Sequence, residues 1–169
     1  MALMQKVESE LLFLKGYSVQ LNDACSDYFT FEMLFHCSDT WLRVQCPNLP
    51  LQVESWQTYR ELAIEILDPV VRQYGQPRLT YGFCGTELRR AILTNQSPGI
   101  APGLDQHAAC ELNQRGRVIC PRQGAAVDLI YPGKNSYQVA LWLAQHTPFD
   151  RLYLYGPDRP LHISYGPEQ

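Results

Sequence analysis

The chain has 169 residues, of which 46% are apolar, and a net charge of −3. A chain this long suits a single globular domain that buries roughly 70% of its unfolded surface. The acidic balance argues against the basic face of a nucleic-acid binder, and no window nears the ~20 apolar residues of a membrane span.

Residues 1–27 read as an N-terminal arm with a short helix over 7–14, and residues 28–169 as one domain. In Tyr28-Phe29-Thr30-Phe31-Glu32-Met33-Leu34, Thr30 is placed to cap a short helix. Pro47 and Pro50 bracket a turn. The strongest helical signal runs from Val53 to Tyr74. There Trp56, Tyr59, Leu62, Ala63, Ile66, Leu67, Val70 and Tyr74 recur at three- and four-residue steps and share one buried stripe. Pro69 lies inside this helix and should kink it or break its hydrogen bonding, and Gly75 is a stop. Leu79–Phe83 reads as a strand, Thr86–Leu93 as a short helix, and 94–124 as a long irregular stretch rich in Gly, Pro, Asn and Gln. Ala125–Tyr131 is a buried strand. Asn135 caps a helix ending near His146, with Val139, Trp142 and Leu143 inward. Arg151–Tyr155 and Leu161–Tyr165 are strands joined by Gly156-Pro157-Asp158-Arg159-Pro160. The sum is an α+β chain: a small, mostly antiparallel sheet packed on helices.

Six cysteines (25, 37, 46, 84, 110 and 120) show no CxxC spacing and are expected to be reduced thiols. Cys110 and Cys120 flank one loop and could pair or bind a metal.

Three distant residues stand out as metal ligands: His107 at the end of a loop, Asp128 in the apolar run Ala125–Ile130, and His162 in the last strand. Two imidazoles and a carboxylate leave a fourth zinc position open, the ligand count of a catalytic site. Strand alternation puts Val127 and Leu129 on one face and Asp128 on the other; it separates Leu161 and Ile163 from His162 and Ser164 in the same way. Asp128 and His162 can therefore project together, with His107 completing the set from above. A strand histidine alone is more often an ordinary hydrogen-bonded residue. A carboxylate in an apolar strand is harder to explain without a cation or several donors.

These residues lie in motifs that resemble the zinc D-alanyl-D-alanine carboxypeptidase family, the Hedgehog/DD-peptidase fold, and above all its phage and bacterial cell-wall members. The resemblance runs from Tyr28 to Tyr165. Tyr28-Phe29-Thr30 resembles the family's opening segment. Asn48-Leu49-Pro50 with Leu67-Asp68-Pro69-Val70 is similar to its "N-x-P … L-x-P-V" helix, and Leu79–Gly85 to its "S-G-Y-R-S" strand. Gln106-His107 matches "S-x-H", and Gly124–Asp128 matches "G-x-A-x-D". Phe149–Leu152 with His162-Ile163-Ser164 matches "F-D-x-L … W-x-H-x-S". The resemblance implies Zn2+ held by His107, Asp128 and His162.

The departures fall at the reaction centre. Tyr155 stands where the family has its general-base glutamate, and a phenol with a reference pKa of about 10 is a poor base. Cys84 replaces the substrate-binding arginine, and Asp105 the serine of "S-x-H". An inserted loop over 108–123 follows His107 and is expected to lie over or beside the metal. Within it Glu111 would share a face with His107 if 107–111 were helical, making it a substitute base or a fourth ligand. Asp158, four residues before His162, is a second substitute base, and Arg115, Arg117 and Arg122 could replace the missing cation. The plain alternative for these five is a solvated loop charge. The leading expectation is a non-catalytic or re-purposed zinc-binding module recognising a peptide, a cell-wall fragment or a protein partner. The alternatives are an active zinc peptidase or amidase acting on peptidoglycan stem peptides, and a structural protein that has lost the metal. The N-terminal residues lack a signal-peptide core, which fits a cytoplasmic protein and equally a phage-released one.

Overall fold

A computed structural model describes residues 19–94 and 105–168. The helix expected over 7–14 and the first part of the irregular stretch lie outside them. Two short helices open the fold, α1 (Phe31–Phe35) and α2 (Asp39–Val44). Thr30 caps α1 by accepting from the Met33 N–H, and Ser38 caps α2 by accepting from the Trp41 N–H. Next come α3 (Val53–Leu62), a π-helical turn (Ala63–Leu67) and α4 (Asp68–Tyr74). Then follow β1 (Arg78–Tyr81), α5 (Thr86–Thr94), a 3-10 turn (Gln106–Ala108) and β2 (Ala125–Ile130). The last elements are α6 (Ser136–His146), β3 (Leu152–Leu154) and β4 (Leu161–Tyr165).

The π turn is the local answer to Pro69. Proline has no N–H, and its ring clashes with the carbonyl four residues back. The backbone widens just before it, so that the Asp68 N–H reaches the Ala63 carbonyl five residues back. The expected helix keeps its bounds and carries the perturbation on the N-terminal side of the proline.

The sheet has the order β1-β2-β4-β3, antiparallel throughout. Val127, Leu129, Leu161 and Ile163 join the core with Leu62, Ile66 and Leu67 of the long helical segment. The alternate positions form a row of cross-strand partners: Tyr81 opposite Asp128, Asp128 opposite His162, and His162 opposite Tyr153. Directly opposed residues point to the same side of a sheet, so this row gathers the polar positions. The first strand ends earlier than expected, because the Phe83 N–H donates to the Leu34 carbonyl and the Cys84 N–H to the His107 carbonyl instead of continuing the ladder. Gly82 permits that departure: a Cβ there would lie 1.8 Å from the Leu34 carbonyl oxygen.

The described part of the arm is tied into the domain. Cys25 is fully buried, and the Ser26 hydroxyl donates to Asp68 at 2.7 Å. All six cysteines are free thiols. No helix among the described residues is long and apolar enough to cross a membrane.

Candidate metal centre

His107, Asp128 and His162 meet at one point. His107 Nε2 lies 3.2 Å from Asp128 Oδ1 and 3.2 Å from His162 Nδ1, and the latter two atoms are 2.9 Å apart. A triangle with these sides has a circumradius of about 1.8 Å, so a point about 2 Å from all three atoms sits just off its plane, at bonding distance for zinc. The group can hold a metal ion.

Each ligand is placed by its neighbours. The Asp105 carboxylate accepts from the His107 N–H and starts the 3-10 turn. Gln106 donates to the buried Asp150 carboxylate at 2.6 Å, anchoring the same turn. Asp128 and His162 are direct partners in the β2–β4 ladder. His107 Nδ1 lies 2.8 Å from the Gly82 carbonyl oxygen. A carbonyl only accepts, so Nδ1 carries a hydrogen, and in the neutral ring Nε2 keeps its lone pair. That lone pair faces a carboxylate oxygen, an arrangement that demands a cation, either a proton on an imidazole or a metal ion. The imidazole–carbonyl pairing is also the usual way a ligating histidine is oriented.

The electrostatics agree. Burial works against charge on His107, but Asp128 outweighs it and raises the imidazole pKa above its ordinary value. Burial works equally against the Asp128 carboxylate, yet the two histidines hold it well below the usual range. The His107 and His162 side chains are 2% and 6% exposed and Asp128 is 23% exposed, so the centre opens on the Asp128 side. The Tyr153 ring flanks His162 at 5.3 Å and Tyr81 flanks His107 at 4.2 Å.

Of the substitute catalytic groups, Glu111 is engaged away from the ligands. The chain is not helical over 107–111: the 3-10 turn stops at Ala108, and Ala109 takes a φ of 48°. Glu111 therefore turns away from the His107 face. Its buried carboxylate accepts from the Leu51 and Gln52 N–H groups and from the Ser55 hydroxyl, at the N-terminus of α3. The inserted loop thus docks on α3, with Leu112 bridged to Val118 beyond it. Asp158 is exposed in the β3–β4 turn, and Arg115, Arg117 and Arg122 are exposed on the loop. Tyr155 is exposed, and partial burial with the Asp128 and Asp105 charges pushes its phenol pKa up, so that still less of it is the phenolate that proton abstraction at neutral pH would need. Cys84 is buried, its thiol pushed up to about 11 chiefly by burial.

Three residues with structural roles at this centre carry no mark in the sequence pattern: Gly82, through its carbonyl, and Ser55 and Tyr59 on α3. Periodicity shows Tyr59 only as part of the apolar stripe, yet a buried phenol usually finds a polar partner, and that is the available signal. No family profile, curated protein or solved structure matches the chain.

Proposed function

We propose that this chain is a divergent DD-peptidase-like domain that binds one zinc ion through His107, Asp128 and His162. In this reading it serves recognition of a peptide, a cell-wall fragment or a protein partner rather than hydrolysis. One observation carries the proposal: three atoms able to ligate a metal face one another about 3 Å apart, with the His107 tautomer fixed by Gly82. Bound zinc would supply Lewis acidity at an open fourth position.

The preference for recognition rests on what the other residues do. Proton transfer needs a base within hydrogen-bond reach of the reacting group, directly or through one water. Glu111 spends its carboxylate on α3, Asp158 is exposed in a turn, and Tyr155 is a phenol with a raised pKa. Losing a general base typically costs about 10²–10⁴ in rate. The three-ligand set with an opening beside Asp128 favours a second reading, an active zinc peptidase or amidase cleaving peptidoglycan stem peptides.

Metal analysis of the purified chain, followed by incubation with muropeptides, separates the two. The expected result is about one zinc per chain and no more D-alanine release or muropeptide cleavage than a His107→Ala control. Zinc-dependent release would establish the second reading, and a chain that binds no zinc would overturn both.

A further inference from the structure

The loop carrying His107 is fastened to a single face of α3. Ser55 and Tyr59 are four residues apart on that helix, fully buried, and so on the same face. The Ser55 hydroxyl accepts from the Cys110 N–H at 3.2 Å and donates to Glu111 Oε1 at 2.8 Å. The Tyr59 hydroxyl is shared between the Ala126 carbonyl at 2.9 Å and the His107 carbonyl at 3.3 Å. One carbonyl belongs to a ligand, and the other lies two residues before Asp128 on β2. The Tyr59 ring is itself held edge-on against Phe35 and Phe83, so its hydroxyl has little freedom to follow a displaced loop. From the far side, the Cys84 N–H donates to the same His107 carbonyl.

The geometry points to Tyr59 as a positioning residue for the metal centre. Its hydroxyl fixes the spacing between the His107 loop and the Asp128 strand, while Ser55 and Glu111 clamp the rest of the loop to α3. This rests on the metal-binding reading above. It gives the inserted loop a task that the sequence did not suggest: Glu111 serves the centre by holding its ligand loop in place, not by handling a proton.

Tyr59→Phe keeps the ring and removes only the shared hydroxyl. The test compares zinc affinity, by competition with a chelating dye, and the visible spectrum of the cobalt(II)-loaded chain. Both are recorded well below each variant's melting temperature. The expected result is a zinc affinity lower by about tenfold, the low end of outer-shell effects, with altered cobalt bands that report a distorted ligand set. A general packing role would lower the melting temperature and leave both readouts of the folded chain unchanged, which would overturn the inference. If Tyr59→Phe does not fold, Ser55→Ala is read the same way, with a smaller loss in the same direction expected and an unchanged affinity and spectrum again overturning it. A wild-type chain that binds neither zinc nor cobalt would sink the metal reading itself, a result distinct from a wild type that binds and a variant that binds equally well.

Discussion

Asp128 and Glu111 are both carboxylates held inside this domain, and their surroundings differ in one respect. Asp128 faces two imidazole nitrogens, a group type that can present a lone pair to a metal. Glu111 faces two backbone N–H groups and a hydroxyl, none of which gives up its proton near neutral pH. Both satisfy the rule that a buried carboxylate must be paired or hydrogen-bonded. Only the first leaves a set of lone pairs that a metal ion can take over when protons depart. The second is a permanent helix cap, favoured by the partial positive charge at the start of α3. Whether a buried acid is a ligand or a staple follows from whether its partners are acceptors in waiting or fixed donors.

That contrast breaks most visibly at Asp128. Asp128→Asn keeps the size of the side chain and removes its charge. It should lower zinc affinity on the order of a hundredfold or more, one ligand's share of a typical structural zinc site. Isothermal titration reads this directly. An amide variant that bound zinc as tightly as the wild type would show that the carboxylate is not a ligand.

The opposite pattern is expected at Glu111. Glu111→Ala leaves two N–H groups and the Ser55 hydroxyl without their acceptor, at a cost of about 1–3 kcal/mol for unsatisfied buried groups, with loss of the helix cap included in that range. Urea denaturation of the metal-free variant should show it. Zinc stoichiometry should stay at one per chain, with at most the modest loss of affinity expected when the clamp on the His107 loop is loosened. Complete loss of zinc binding in a well-folded Glu111→Ala chain, beyond the modest weakening that a loosened ligand loop gives, would move Glu111 into the centre and erase the contrast.

Much of the scaffold was legible because its signals are local. The stripe from Trp56 to Tyr74 marks the long helical segment, Asn135 does cap α6, and the last strand runs from Leu161 to Tyr165 as expected. The meeting of Asp128 and His162 was legible for a related reason: strand alternation fixes which face they share. Helix α2 was not, since its six residues are followed by Gln45 at a φ of 47° and no glycine marks the stop. The fate of Glu111 was hidden too. Its position relative to His107 depends on the φ of 48° at Ala109, a conformation that alanine does not announce. Its partners lie about sixty residues away, beyond any spacing rule.

The smallest effect is also the sharpest on chemistry, the pH dependence of the two states of the centre. In the metal-free chain the Asp128 pKa is lowered, so its stabilisation is present above the ordinary carboxylate value of about 4 and lost as pH falls towards the folded value. The His107 pKa is raised, so its stabilisation is complete below the ordinary imidazole value of about 6.5 and fades as pH climbs through the folded value. Without metal, the pair therefore supports the fold best between about pH 4 and 6.5. Zinc must displace the proton that His107 holds there, so affinity should rise with pH, by up to about tenfold per unit while one proton is released. The zinc-induced rise in melting temperature should grow from about pH 5.5 to 7.5, and titration in buffers of different ionisation enthalpy should register the released proton. Glu111→Ala should leave this slope unchanged, since its carboxylate takes no part in the exchange. A zinc effect that is flat across this range would mean that no imidazole proton gives way to the metal, and the distinction between the two buried acids would lose its chemical basis.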